Sequence, residues 1–271
     1  MYSDATFRSG SRRTLTPVIK ILLYANIIIF LLEVLVAPPV RAHLVALLGL
    51  SVQGLRARAF WQLGTYMFLH GSTTHLFMNM LALYLIGPAL ERSLGRKLFL
   101  VLYLFSGVLG GIGFLLMDPQ GVCIGASGAV FGVFGAFVAL YPRERMVLLF
   151  LPFIQFEAWV FALIFIGIEL LYLVAGRGGN IAHSAHVAGA VAGFVFMRVL
   201  MRRAAHGRGG FRPLSSFFRF RGGRADSDPY AAMDRYEVDR ILDKVAESGI
   251  GSLTRSEREV LEASSRGRRG V

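Results

Sequence analysis

Several apolar runs, each long enough to cross a lipid bilayer, constrain the fold of this chain more than any other feature. A helix needs about 20 predominantly apolar residues to span a hydrocarbon core of about 30 Å. Six such runs begin near residues 17, 75, 97, 125, 156 and 183, and they end at prolines, glycines or charged residues. Lipid offers no hydrogen-bond partners to the backbone, so the runs are expected to be helical. The sequence therefore predicts an all-α polytopic membrane protein with a bundle of six transmembrane helices.

The positive charge indicates the orientation of these spans. The chain has 29 Lys and Arg against 17 Asp and Glu, a formal charge of +12. One set of connecting segments holds twelve of the basic residues before the tail is counted, whereas the other set holds four: Arg41, Arg56, Arg58 and Arg177. Basic residues concentrate on the cytoplasmic side of membrane proteins. Both termini are therefore predicted to be cytoplasmic, in a bacterial plasma (inner) membrane, and no nucleic-acid partner is expected.

The rest of the chain divides around this bundle. Residues 40–74 are too apolar to float free, and we expect them to lie in the outer headgroup layer or to pack on the bundle. The single Cys123 excludes an intrachain disulfide, and the long first run without a small-residue cleavage site predicts no signal peptide. Thr254 and Glu257 form a capping box between two helical stretches near the C-terminus. The predicted segments are a cytoplasmic tail at 1–16, the six-helix domain at 17–203 with a connector at 142–155, a Gly/Arg/Ser-rich linker at 204–233, a small cytoplasmic helical hairpin at 234–265 and a tail at 266–271.

Ser127 stands between glycines where the fourth span begins, in the run Gly125-Ala126-Ser127-Gly128. Small residues four apart, such as Gly128 and Gly132, commonly let transmembrane helices pack closely. The same run also suits a serine nucleophile, with the backbone N–H groups of Gly125 and Ser127 open to a developing oxyanion. The second interpretation needs a base at the same depth on another span.

Two histidines and an asparagine satisfy that requirement. With 1.5 Å of rise per helical residue, Ser127 lies roughly 21 Å above the inner end of its span. His186 on the sixth span and His75 on the second each lie roughly 22 Å above theirs, and Asn79 is one turn deeper. Polar groups at such depths usually face the bundle interior and mark function. The pattern predicts Ser127 as nucleophile, His186 as general base, and His75 and Asn79 as oxyanion donors. No carboxylate is expected beside His186, so a dyad is predicted.

This combination resembles the rhomboid intramembrane serine proteases over roughly residues 17–203. The resemblance rests on six elements in the expected order: Trp61, His70-x4-His75-x3-Asn79, Gly87-x3-Glu91-Arg92, Gly125-Ala126-Ser127-Gly128, Ala185-His186-Val187-Ala188-Gly189 and Gly189-x3-Gly193. It implies hydrolysis of peptide bonds in or near transmembrane segments of other proteins, which enter between the second and fifth spans. It also implies no cofactor, a lipid-bilayer environment and an active site opening toward the outer face. It leaves the oligomeric state open.

Two positions depart from the family pattern. Gln62 follows Trp61 where the best-known members carry arginine, so any role of that arginine is absent. Phe131 occupies a position that is often tyrosine and that stacks on the histidine, so it retains the aromatic face without the hydroxyl.

Three alternatives compete with the protease interpretation. His70, His75, His183 and His186 could bind a metal, although no carboxylate or thiolate is expected to complete the set. A non-catalytic rhomboid-like protein could bind membrane clients, although known pseudoenzymes of that kind lack the serine or the histidine, and both are present here. A transporter would carry inverted repeats with broken helices, and the sequence has no such pattern. The acidic residues within or near the spans are predicted to be structural: Glu33, Glu157 and Glu169.

Overall fold

The computed structural model describes residues 15–148, 151–175 and 182–205, together with Lys244, Thr254 and Glu257. The chain forms two compact units, Met1–Leu214 and Ser215–Val271. Nearly all of the predicted N-terminal tail, most of the linker and most of the C-terminal hairpin lie outside the described residues. The first part of the predicted linker is helical, because the last helix continues to Ala205.

The described part of the first unit is mostly helical. Its elements are α1 (Pro17–Leu35), α2 (Pro38–Leu48), α3 (Val52–Arg56), α4 (Gln62–Thr65) with a 3-10 turn (Tyr66–Phe68), α5 (Thr73–Leu94), α6 (Arg96–Met117), α7 (Ser127–Leu140), β1 (Arg145–Leu148), β2 (Leu151–Glu157), α8 (Ala158–Val174) and α9 (His183–Ala205). Among the described residues, α1, α5, α6 and α9 are long and apolar enough to cross a membrane, while α7 and α8 are shorter apolar helices. The count of six spans therefore remains a prediction.

At the start of α1, backbone N–H groups that have no acceptor within the helix donate to a side chain of another helix. Pro17 occupies the first turn, where a missing N–H costs nothing. The next two backbone N–H groups, of Val18 and Ile19, donate to the two carboxylate oxygens of Glu91 at 3.0 Å each. Glu91 is buried on α5, so its charge is offset by the positive end of the α1 dipole. This carboxylate joins α1 to α5.

The segment between α1 and α5 is folded around Gln62. The side-chain oxygen of Gln62 accepts from the backbone N–H of Ser51 at 3.2 Å. Its amide nitrogen donates to the carbonyls of Ala46 and Leu47 at 3.2 and 3.3 Å. The neighbouring Trp61 indole donates to Leu47 at 3.0 Å. A buried neutral amide thus links the end of α2 to the start of α3 at the position where the family's best-known members carry arginine.

Helices α7 and α9 pack with their backbones almost in contact. Eleven of the 14 residues of α7 are buried, which makes α7 the central helix. A Cβ atom on Gly189 would overlap the carbonyl oxygen of Gly128, and one on Gly193 would overlap that of Gly132. The predicted small-residue faces therefore meet, and only glycine fits at these two positions of α9.

The connector predicted at 142–155 is instead a hairpin. Strands β1 and β2 pair antiparallel, with Arg145 opposite Glu157 and Met146 opposite Phe156. The prediction of a purely helical chain was wrong here, because Pro152 and the charged residues at 143–145 obscured a short segment rich in Val, Ile and Phe. Helix α8 consequently begins at Ala158.

In the second unit, the predicted capping box is confirmed. The backbone N–H of Thr254 donates to Glu257 at 2.8 Å, and the N–H of Glu257 donates back to the Thr254 hydroxyl at 3.3 Å. Lys244 also contacts the carboxylate at 2.9 Å. The Thr254 N–H and the Lys244 ammonium lower the pKa of Glu257 to about 2.

We expect Gly193→Val to destabilise the bundle, because the added atoms must separate α9 from α7. Overpacking of this kind costs about 1–3 kcal/mol. The check is the thermal unfolding midpoint in detergent. Gly167→Val on α8 is the matched control, since a Cβ there meets nothing within 4 Å. Equal midpoints for the two variants would contradict the close packing of α7 and α9.

Candidate active site

The loop that precedes Ser127 is hydrogen-bonded to the segment between α2 and α5. Leu50 and Cys123 exchange two backbone hydrogen bonds of 2.8 and 2.9 Å. Two residues later, the N–H of Gly125 donates to the carbonyl of Tyr66 at 2.9 Å. The Tyr66 hydroxyl in turn donates to the carbonyl of Gly107 on α6 at 2.7 Å. The first turn of α7 is therefore fixed by buried hydrogen bonds before any side chain of the site is considered.

Gly125 has a structural role different from the one predicted. Its φ of +121° is one that residues with a side chain rarely adopt, and a Cβ there would meet the His75 ring. Because its N–H is already bonded to Tyr66, that N–H is not open to an oxyanion, and the prediction of Gly125 as a donor was wrong. The N–H of Ser127 lies in the first turn of α7, where backbone N–H groups have no acceptor within the helix.

Ser127 and His186 meet at the N-terminal ends of α7 and α9. The Ser127 Oγ lies 2.8 Å from the His186 Nε2, a hydrogen-bond distance. Phe131, one turn further along α7, stacks on the His186 ring with centroids 4.4 Å apart and planes 5° from parallel. Two residues of α7, Ser127 and Phe131, therefore fix the position of the imidazole, one at its edge and one at its face.

Glu169 on α8 corrects the expectation that no carboxylate accompanies His186. Its Oε1 lies 3.0 Å from the His186 Nδ1, although off the direction in which an N–H on that nitrogen would point. Glu169 is eleven residues above the start of α8, roughly 17 Å by helical rise, against roughly 22 Å for His186. A glutamate side chain spans that difference, so the depth of the Cα atoms alone was a poor guide.

His183 forms a hydrogen bond with the second carboxylate oxygen of Glu169. Its Nδ1 lies 2.5 Å from Oε2, and its ring stacks on Tyr172 of α8 with centroids 5.1 Å apart. The prediction that His183 faces the same way as His186 is confirmed, since both imidazoles contact one carboxylate. Serine, two histidines and glutamate therefore form a continuous chain of contacts.

His75 and Asn79 lie on the first turns of α5. Asn79 is buried, and its side-chain nitrogen donates to the carbonyl of His75 at 2.9 Å, so one of its two N–H groups is used within the helix. The ring of His70, in the turn before α5, lies 5.1 Å from that of His75 in an edge-on arrangement. Burial lowers the pKa of His70 to about 4, so this imidazole is neutral at pH 7.

The described residues bring metal-ligand atoms within 4.8 Å of one another in one group, Glu169, His183 and His186. The alternative four-histidine set does not come together in this way, and the expectation that no carboxylate joins His183 and His186 was wrong. Zinc ligands at about 2.0–2.1 Å from the ion lie roughly 3.3 Å apart in a tetrahedron. The 2.5 Å separation of His183 and Glu169 is that of a charge-assisted hydrogen bond, and the 3.0 Å separation of His186 and Glu169 is also shorter than this ligand spacing.

Comparison with known proteins places this site in a family. Residues 57–203 match the model of the Rhomboid domain, and residues 231–267 match a family of unknown function, DUF6576. The putative rhomboid protease YdcA of Bacillus subtilis is 43% identical over 94 residues, which cover 34% of this chain and 47% of that protein. The rhomboid protease GluP of the same organism is 36% identical over 137 residues, covering 50% of this chain and 25% of that protein. RHOMBOID-like protein 5 of Arabidopsis thaliana is 36% identical over 156 residues, covering 54% and 46%.

The aligned regions span between a quarter and about half of the length of these relatives. The Rhomboid match covers α4 to α9 and includes Ser127, His186, His75, Asn79 and Glu169. With more than half of its residues in that match, this chain belongs to the rhomboid family.

Proposed function

We propose that this chain is an intramembrane serine endopeptidase in which Ser127 is the nucleophile and His186 the general base. The observation that supports this most directly is the 2.8 Å contact between the Ser127 Oγ and the His186 Nε2 on two separate helices. The rhomboid family consists generally of intramembrane serine proteases, and the apolar helices support an integral membrane protein. Known non-catalytic relatives lack the serine or the histidine, and this chain has both.

The reaction uses groups that already contact one another. The Ser127 oxygen attacks a substrate carbonyl while its proton passes to the His186 Nε2. The developing oxyanion is stabilised by the Ser127 N–H and by the side chains of His75 and Asn79. When the peptide C–N bond breaks, His186 gives the proton to the leaving amine. Water then hydrolyses the acyl-enzyme by the same steps in reverse.

Transmembrane segments of other proteins are the proposed substrates. The site residues lie in the N-terminal turns of α7, α9 and α5: Ser127, His186 and His75. The C-terminal ends of these helices are predicted from the basic residues to be cytoplasmic, so the site opens toward the outer face. Within α8, Ala158 and Glu169 alone are buried, which supports entry of a substrate helix beside α8. A substrate there reaches Ser127 without leaving the bilayer.

Ser127→Ala and His186→Ala are each expected to abolish cleavage of single-span membrane proteins by the purified, folded enzyme. The double variant is expected to lose no more than either single variant, because nucleophile and base act as one unit. The measurement is product formation from a panel of such substrates. Ser106→Ala, a buried serine on α6, is the matched control and should keep full turnover. Retained cleavage by Ser127→Ala would rule out the serine mechanism.

Asn79→Ala is expected to reduce kcat, since loss of one oxyanion donor costs up to about 10²–10³-fold. KM should change little. Asn26→Ala is a close control, because Asn26 is also buried and also donates to the carbonyl four residues earlier, that of Leu22 at 2.7 Å. If both variants lose stability while both keep kcat per folded molecule, Asn79 is structural.

Truncation after Leu214, the boundary between the two compact units, is expected to preserve kcat and KM on a detergent-solubilised substrate. All residues of the proposed site lie in the first unit. The comparison is turnover per folded molecule for the full chain and the truncated chain. A large loss of turnover with an unchanged unfolding midpoint would show that the second unit controls the active site.

A further inference from the structure

We propose that Glu169 is a positioning residue of this active site, and that His183 in turn fixes Glu169. The working unit is then the chain Ser127–His186–Glu169–His183, with the carboxylate shared between two imidazoles. This inference rests on the proposed serine protease function and adds to it the orientation of the base.

The first reason is the tautomer that the base requires. To accept the Ser127 proton, the His186 Nε2 must carry a lone pair, so the neutral ring carries its hydrogen on Nδ1. The Glu169 Oε1 lies 3.0 Å from that nitrogen. Its alignment is imperfect, as is common for catalytic groups without a bound substrate, and it is expected to improve in the complex. A carboxylate at this position favours the reactive tautomer over the one that points a hydrogen at Ser127.

The second reason is the charge that appears during the reaction. When Ser127 transfers its proton to Nε2, His186 becomes an imidazolium ion in a buried site. Glu169 remains ionised and faces this cation from the opposite ring nitrogen, so it lowers the energy of the intermediate. The proton stays on His186 until the leaving amine takes it, and the carboxylate gains no proton at any step.

The third reason is that Glu169 is the residue that α8 inserts into the bundle. Within α8 the other buried residue is Ala158, in the first turn, while side chains such as Leu163 and Leu171 are largely exposed. A carboxylate inside a membrane bundle is costly, and such residues usually serve a function. Glu169 could lie among lipid-facing neighbours only at a large cost, and its contacts are the two histidines of α9.

His183 contacts the second carboxylate oxygen of Glu169, Oε2. Because Oε2 accepts from the His183 Nδ1 at 2.5 Å, the carboxylate group cannot rotate, and Oε1 stays directed at His186. Tyr172, three residues after Glu169, stacks on the His183 ring and holds it from the same helix. Two residues of α8 therefore contact His183, Glu169 at the edge of its ring and Tyr172 at its face, and the remaining oxygen of Glu169 faces the base.

The test is Glu169→Gln in the full-length, purified enzyme, assayed with a detergent-solubilised single-span substrate. We expect kcat to fall at least tenfold and at most about 10⁴-fold, the loss seen when the carboxylate of a serine protease triad becomes an amide. KM should remain within about twofold, because Glu169 acts through His186. The rate at which a small fluorophosphonate labels Ser127 should fall in parallel, since labelling needs the activated serine without needing the substrate helix to dock.

Two carboxylate-to-amide controls separate this role from a general loss of charge. Glu157→Gln changes an exposed carboxylate at the start of the same helix, where it accepts from Trp159 at 2.8 Å. Glu33→Gln changes a buried carboxylate on α1, 3.8 Å from Arg41. Both are expected to keep kcat per folded molecule. His183→Phe, which retains an aromatic ring against Tyr172 and removes the donor, should lower kcat by less than Glu169→Gln does.

Unchanged kcat and labelling in folded Glu169→Gln would overturn the proposal and leave Glu169 as a structural brace. Should that variant fail to fold, Glu169→Asp retains the charge and withdraws it by one methylene group, and unchanged kcat there would overturn the proposal equally. A wild-type enzyme that neither cleaves any substrate nor labels at Ser127 would instead refute the proposed function itself. Stoichiometric Zn²⁺ binding that supports wild-type activity and is lost in Glu169→Gln would reassign the cluster as a metal site and overturn the positioning role.

Discussion

The close approach of α7 and α9 is the interaction on which the rest of the structure depends. Apolar side chains gain little by leaving lipid for a protein interior, so association of membrane helices relies on packing that small residues permit. Gly189 and Gly193 bring the α9 backbone against the carbonyls of Gly128 and Gly132. At that separation the Ser127 and His186 side chains meet at 2.8 Å. Packing and chemistry are therefore set by the same helix pair.

Around this pair, three buried polar side chains have specific partners that offset the cost of their burial. Glu91 accepts two backbone N–H groups at the start of α1, and Gln62 bonds three backbone groups of the segment before α5. Glu169 contacts two imidazoles. In each case a side chain from one element satisfies groups of another, so the polar contacts join elements that apolar packing alone would leave free to slide. The loop before Ser127 is fixed differently, by backbone hydrogen bonds to Leu50 and Tyr66.

Helix α8 differs from the others in how it is attached. It buries little apolar surface and reaches the bundle interior chiefly through Glu169, with Tyr172 stacked on His183. The sparse burial of α8 is compatible with the proposed entry of a substrate beside it, and the contact of Glu169 with His186 would link the position of α8 to the orientation of the base.

The sequence by itself determined the main apolar helices and the axial order of the site. Helical rise was sufficient to predict the shared depth of Ser127 and His186, and the Thr254-x-x-Glu257 spacing was sufficient to predict the capping box. The packing of the sixth helix against the fourth and the stacking of Phe131 on His186 were instead implied by the resemblance to the rhomboid family. Only the tertiary structure decided the contacts that depend on helix rotation and side-chain reach: Glu169 beside His186, the Gly125 N–H bonded to Tyr66, and Gln62 in the centre of its loop. The physical reason is that helical rise gives one coordinate, the depth of each Cα atom. That coordinate does not give the direction in which a side chain points, and it does not give the loop that the side chain contacts.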